Sequence, residues 1–141
     1  MDHQAEVQHW LEDYLGALAK HIDAADVLGS LRFTGDDATE LLAAFAARFD
    51  VDMSGFDAWQ HFDADEPPMH RRFRPHSADG RALSDLPISV ADFAQGAEMG
   101  CWALRYDGRT IRYHPPRGFG LVLTAIALAC CIALIAFNRL Q

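Results

Sequence analysis

Cysteine is scarce in this chain, which has three among 141 residues. Cys130 and Cys131 are adjacent, so on a helix they point in different directions and do not pair readily in a disulfide. Cys101 stands alone in the rest of the chain. This spacing matches neither a disulfide framework nor a zinc site, and it favours a reducing compartment.

Local motifs of the common enzyme classes are also missing. No serine lies in a nucleophile elbow, no glycine-rich stretch forms a phosphate loop, and no histidine has a partner within a motif. The candidate nucleophiles therefore have no activating neighbour in the sequence: Ser30, Ser54, Ser77, Ser84, Ser89 and Cys101. We expect a non-catalytic protein that uses no cofactor.

Basic residues are rare in the first 66 residues, where 15 acidic residues accompany 3 basic ones. The balance reverses in residues 67–141, with 5 acidic and 9 basic residues, and the whole chain has a net charge of −8. The acidic part disfavours nucleic-acid binding. The basic part favours contact with anionic lipid, although both parts are also consistent with ordinary solvated surfaces.

The clearest helix signal lies between Thr34 and Val51. Thr34 is suited to be an N-cap, and acidic residues follow it where the helix dipole favours them. Apolar residues recur at helical spacing and predict a helix over residues 36–49: Ala38, Leu41, Leu42, Phe45 and Phe49.

The same stretch carries a resemblance to a known family. The run ELLAAFAARFDVDM resembles acyl carrier proteins, in which a Glu-Leu pair begins the exposed helix. The variant with Gly-Asp-Asp-Ala upstream and FDVDMSGF downstream is similar to a bacterial family of short, carrier-like proteins of unknown function. The resemblance covers about residues 7–102 and implies a small helical bundle, with a role in lipid or envelope metabolism.

Carriers attach 4′-phosphopantetheine to a serine just before this helix. Aligning Glu40-Leu41 with the carrier Glu-Leu pair places Gly35 at the serine position, and glycine has no hydroxyl. The attachment position is therefore degenerate. The alternative is a functional carrier modified at a displaced hydroxyl, either Thr34 or Ser30.

Three further segments have helical patterns. An apolar stripe predicts a first helix over residues 4–21: Val7, Trp10, Leu11, Tyr14, Leu15 and Leu18. A short third helix is expected over residues 56–61. Ser89 and Asp92 form a capping-box pattern at the start of another helix, which Gly100 is suited to end. Residues 63–81, rich in proline and arginine, are expected to be an irregular loop.

The segment WALRYDGRTIRY alternates apolar and polar residues around Asp107-Gly108. This pattern favours a β-hairpin over an irregular neck. Its strands would pair Trp102, Leu104 and Tyr106 with Arg109, Ile111 and Tyr113.

A calcium loop is the competing interpretation of residues 50–61. Asp50, Asp52, Ser54 and Gly55 match the start of such a loop, but His61 replaces the bidentate glutamate at its twelfth position. We therefore predict a turn and no metal site.

The stretch from Gly118 to Phe137 is uncharged and mostly apolar. As a helix it would span about 30 Å, the thickness of a bilayer's hydrocarbon core, so residues 118–138 are predicted to be a transmembrane helix. Four arginines precede it (Arg105, Arg109, Arg112 and Arg117) and one follows, which favours a cytoplasmic N-terminal side at a bacterial inner membrane. Small residues would let two copies of this helix approach: Ala125, Ala129 and Ala133.

Together these features predict an all-α, acyl-carrier-like bundle over residues 1–104, a basic juxtamembrane neck over 105–117, and a single membrane anchor. The expected function is a non-catalytic interaction module. Its acidic surface, formed by Asp36, Asp37 and Glu40, would bind a basic protein partner.

Overall fold

The computed structural model describes residues 2–63 and 73–114. The described α-helices are α1 (His3–Leu15), α2 (Val27–Leu31), α3 (Gly35–Phe49) and α4 (Val90–Met99). Short 3-10 segments cover Gly16–His21 and Ala58–Gln60. Two strands complete the described part, β1 (Phe73–Ser77) and β2 (Arg109–Tyr113).

The all-α prediction is wrong, because the fold is mixed α/β. Strands β1 and β2 form a two-stranded antiparallel sheet, with Phe73 opposite Tyr113 and Ser77 opposite Arg109. About half of the described residues are helical. Strand β1 lies within residues 63–81, which the composition led us to expect to be irregular throughout.

The predicted hairpin is also wrong, although its turn forms. The Arg109 N–H donates to the Tyr106 carbonyl at 3.0 Å, closing a turn around Asp107-Gly108. Strand β2 then pairs with β1 and not with residues 102–106. The reason is side-chain packing: Trp102 is buried in the core, while the Phe73 ring lies 5.5 Å from that of Tyr113.

The two best-signalled helices form close to where they were expected. Helix α3 begins one residue before the predicted start and ends at Phe49. At α4, Ser89 and Asp92 make a complete capping box, and Gly100 ends the helix in a left-handed conformation. The third predicted helix is reduced to the 3-10 segment Ala58–Gln60.

The first predicted helix is shorter than expected. Helix α1 stops at Leu15 because Gly16 adopts a positive φ of 53°, and a 3-10 segment follows. This break changes which face of the following residues is buried.

Helices α1, α3 and α4 enclose the core with their apolar faces. The Phe45 ring of α3 lies 4.7 Å from Phe93 of α4 and 5.9 Å from Trp10 of α1. The buried core draws on all three helices and on Trp102 beyond α4: Val7, Leu11, Leu41, Leu42, Phe45, Phe93 and Trp102. This packing fixes the N-terminal end of α3, where the predicted site lies.

Several predictions fall outside the described residues. These are the transmembrane helix at 118–138, its alanine stripe, Cys130 and Cys131, Arg117, and residues 64–72 of the expected loop. Within residues 2–63 and 73–114, no helix has the length and apolar character needed to cross a membrane.

Candidate functional site

The N-terminal end of α3 carries the position that the carrier resemblance assigns to cofactor attachment. Gly35 is the first helical residue, and its φ is +51°, a conformation that disfavours any residue with a Cβ. Its N–H donates to the Asp63 carbonyl at 3.0 Å, which anchors the helix start. Glycine is therefore used here for its backbone conformation, and a serine would be strained.

The two displaced hydroxyls differ in their bonding. Ser30 Oγ donates to the Val27 carbonyl and accepts from the Asp23 N–H, each at 3.0 Å. Thr34 occupies the N-cap position, but its side chain makes no capping hydrogen bond. Thr34 also lies at the edge of a cleft of about 380 Å³ that reaches His61 and Leu86. Of these two hydroxyls, only that of Thr34 has no hydrogen-bond partner among the residues that the structure describes.

The three predicted partner-binding carboxylates are exposed on α3, and two of them line one groove. Asp37 and Glu40 line a groove of about 250 Å³ between α3 and the end of α1. Asp36 is also exposed but does not line this groove. We call this feature the acidic groove, and its lining residues are Tyr14, Leu15, Leu18, Phe33, Asp37 and Glu40.

The floor of the acidic groove is apolar and accessible. Tyr14 is 46% exposed and Leu18 is 47% exposed, although both belong to the stripe expected to be core. Leu18 is left open because α1 ends at Gly16, so the residues beyond it do not continue the buried face, whereas Tyr14 lies on the last turn of α1 itself. Large exposed apolar side chains that share one groove are typical of interaction sites.

The charge on the groove is not neutralised within the described residues. The charge contacts between described residues use other carboxylates: Glu6 lies near both Arg48 and His3, Asp13 near His9, and Asp79 near Arg81. Asp37 and Glu40 are three residues apart, so they lie on the same side of α3. The groove therefore combines an apolar floor with two carboxylates available to a cationic partner.

A buried polar network lies behind the neighbouring cleft. The His61 Nδ1–H donates to the Leu86 carbonyl at 2.9 Å, so Nε2 accepts from the Tyr106 hydroxyl at 2.8 Å. The same hydroxyl oxygen accepts from the Asp57 N–H at 3.2 Å and from Trp102 Nε1–H at 3.1 Å. Both ring nitrogens of His61 are thus occupied.

Burial holds this network in its neutral form. Desolvation lowers the pKa of His61, although the Leu86 carbonyl acts in the opposite direction. Desolvation likewise raises the pKa of Tyr106. A neutral histidine and a neutral tyrosine that satisfy one another stabilise the fold and join the 3-10 segment to the chain around Trp102.

The calcium-like stretch forms a turn. The Asp52 carboxylate accepts from the Ser54 N–H at 2.8 Å and from the Ser54 hydroxyl at 3.0 Å, and these bonds lower its pKa. Asp50 ends α3 with a φ of 54°. Among the residues that the structure describes, no group of three or more His, Cys, Asp or Glu side chains could hold a metal ion.

Comparisons of the chain with protein-family models, with curated proteins and with solved structures give no match. The carrier resemblance therefore stays a prediction, and the function is argued below from geometry.

Sequence reasoning missed the apolar half of the acidic groove. It assigned Tyr14 and Leu18 to the core because they continue the helical spacing of Val7 and Leu11. The one signal that marked the break was Gly16, which falls between them. It also missed the partnership of His61 with Tyr106, which are 45 residues apart.

Proposed function

We propose that this chain is a non-catalytic interaction module that binds a basic, amphipathic segment of a partner protein in the acidic groove. The observation that carries this proposal is the position of Asp37 and Glu40 beside the exposed side chains of Tyr14 and Leu18. Residues 118–138 would hold the module at a membrane, with the described part on the cytoplasmic side.

The geometry favours a helical segment as the bound form. An amphipathic helix presents apolar residues along one face and can place lysine or arginine at the rim of the same face. In the groove, Tyr14, Leu18 and Phe33 would contact the apolar residues, while Asp37 and Glu40 would pair with the basic ones. Rim charges of this kind set the association rate and the choice of partner more than the affinity.

A designed peptide with leucine and lysine at helical spacing tests this function. Its affinity is measured by fluorescence anisotropy for the natural chain and for a double variant with Asp37→Lys and Glu40→Lys. We expect the double variant to bind about tenfold more weakly, since each reversal replaces an attraction by a repulsion. Leu18→Glu should weaken binding to a similar extent by placing a charge on the apolar floor.

Asp36→Lys is the matched control, because it makes the same change of charge one residue away and outside the groove. An equal loss of affinity in Asp36→Lys would mean that the peptide responds to general acidity, and the groove would then not be the site. The same variants would next be compared in pull-downs from membranes.

A second candidate function rests on the uncommitted hydroxyl of Thr34. The chain would be an acyl carrier whose phosphopantetheine is attached there instead of at position 35. Co-expression with a broad-specificity phosphopantetheinyl transferase, followed by intact-mass measurement, tests this function. A mass gain of one phosphopantetheine that is lost in Thr34→Val would support it, and an unchanged mass would reject it.

A further inference from the structure

The two-stranded ribbon formed by β1 and β2 has two chemically different faces. Phe73 and Tyr113, which are opposite each other, belong to one face, and the Phe73 ring lies 4.6 Å from Trp59. Pro75, on the same face, is buried and lies opposite Ile111. Phe73 and Pro75 pack this face on the rest of the domain, while Tyr113 at its end is 55% exposed.

The other face carries basic side chains and no carboxylate. We call it the basic face, and its members follow from the register and from strand alternation: Arg74, His76, Thr110, Arg112 and His114. The His76 and His114 rings stack at 5.1 Å, which is consistent with a common face. The arginines at 74 and 112 are exposed, whereas His76 is buried.

Arg74 and Arg112 are directly opposite each other in the register. Like charges at opposed positions of an antiparallel pair repel, because their Cβ atoms lie only about 5 Å apart. Neither arginine takes part in the ion pairs formed between described residues. The nearby carboxylate of Asp79 is already held by Arg81 at 2.9 Å.

The arginines of β2 have separate roles. The Arg109 guanidinium donates to Gln60 Oε1 at 2.9 Å and to the Ser84 carbonyl at 2.6 Å, so it serves the fold. The Arg112 guanidinium lies against Gly80, where an added Cβ would come within 3.1 Å of Nη1. Glycine at position 80 thus leaves room for Arg112 on the basic face.

We infer that Arg74 and Arg112 together bind a phosphate group, carried by an anionic lipid headgroup or by a free phosphate. Two guanidinium groups can donate several hydrogen bonds to one phosphate, whose charge would relieve their repulsion. A nucleic acid is disfavoured as the source, because the chain has a net charge of −8. This inference is independent of the acidic groove.

The experiment uses the full chain in neutral maltoside micelles. The ¹⁵Nε signals of the arginines are followed by NMR during separate titrations with short-chain phosphatidylglycerol, zwitterionic short-chain phosphatidylcholine and inorganic phosphate. We expect Arg74 and Arg112 to shift with phosphatidylglycerol, and not with phosphatidylcholine at the same concentration. An equally strong shift with inorganic phosphate would support the site and identify free phosphate as the ligand.

Variants and a control decide whether the arginine pair forms the site. Arg74→Gln and Arg112→Gln should each weaken phosphatidylglycerol binding about fivefold. Salt at about 0.5 M should weaken phosphatidylglycerol binding by the natural chain, because it screens the attraction between arginines and anionic headgroups. Arg105→Gln removes the same charge from an exposed position outside the strands and should have little effect.

Two results would overturn the inference. One is an equal loss of binding in Arg105→Gln, because the headgroup would then respond only to general charge. The other is tighter binding to a DNA duplex than to phosphatidylglycerol at equal phosphate concentration. Circular dichroism of each variant would establish that it is folded, which we expect because both arginines are exposed.

Discussion

His61 is a buried histidine whose two ring nitrogens are both in use. Its ring stacks on that of Phe56 at 5.0 Å and meets Tyr106 at 5.5 Å. Protonation would turn Nε2 into a donor facing a hydroxyl that now donates to it. Desolvation is the main cause of its lowered pKa; Asp57 and Asp92 act against the shift, and Arg109 acts with it.

We therefore expect acid to destabilise the protein through His61. The unfolded chain binds a proton at the ordinary pKa of 6.5, whereas the folded chain binds it only at lower pH. The contribution of neutral His61 is complete above pH 6.5 and is lost as the pH falls through the lower, folded pKa. Urea unfolding at several pH values between about 7.5 and about 5 would measure this loss of stability.

His61→Asn separates the effect of His61 from that of other titrating groups. Asparagine can still donate to the Leu86 carbonyl but does not titrate, so this variant should be less stable at neutral pH and should lose less stability in acid. His9→Asn is the control, because the His9 side chain is 76% exposed. A full acid loss in His61→Asn would assign the dependence to another group.

One glycine lies within helix α4 and a second ends it, and the two serve different purposes. Gly96 is buried within the helix, and a Cβ there would lie 3.6 Å from Phe45 Cζ and 3.7 Å from the Cys101 carbonyl, both ordinary contacts. Gly100 ends the helix with a φ of +67°, and a Cβ there meets no atom within 4 Å. Space is therefore available at both positions, and the backbone conformation distinguishes them.

Alanine should have opposite effects at these two positions. Gly96→Ala is expected to raise the free energy of unfolding by up to about 1 kcal/mol, because alanine favours the helix and fits the space. Gly100→Ala should lower it by about 1 kcal/mol, because a residue with a Cβ is strained at positive φ. Chemical denaturation of both variants measures the two changes. A loss of stability in Gly96→Ala would mean that Phe45 cannot yield even slightly.

At the scale of elements, the sequence predicted those helices whose formation depends on residues nearby in the chain. Helix α4 is signalled by its own cap at Ser89, and α3 by its apolar spacing. The β1–β2 ribbon has no such local signal, because its pairing depends on contacts of Phe73 with both Trp59 and Tyr113. The acidic groove was half predicted: its carboxylates are evident in the sequence, whereas the exposure of Leu18 on its floor depends on the break of α1 at Gly16.

The whole molecule combines an acidic, mostly helical N-terminal part with a basic ribbon and an apolar C-terminal stretch. Strand β2 ends at Tyr113, close in sequence to residue 118, where the predicted membrane anchor begins. We propose that this anchor places the basic face near lipid headgroups. The exposed ring of Tyr113 suits the membrane interface.

The predicted membrane anchor can be tested by fractionation. The full chain should remain in the membrane fraction after washing with alkaline carbonate, while a chain truncated after His114 should move to the supernatant. The apolar stretch is the cause, since a helix of about 20 apolar residues inserts stably. Release of the full chain by high salt would instead indicate attachment through surface charge, and the predicted span would then be wrong.

The ribbon also bears on the order in which the chain folds. Strands β1 and β2 are separated by 31 residues that include α4, so their pairing must close a long loop. Helices α1, α3 and α4 form from local contacts and can find one another before β2 has a partner. We expect the ribbon to form late and to open before the helical core does, so the basic face would assemble only on a domain that is otherwise folded.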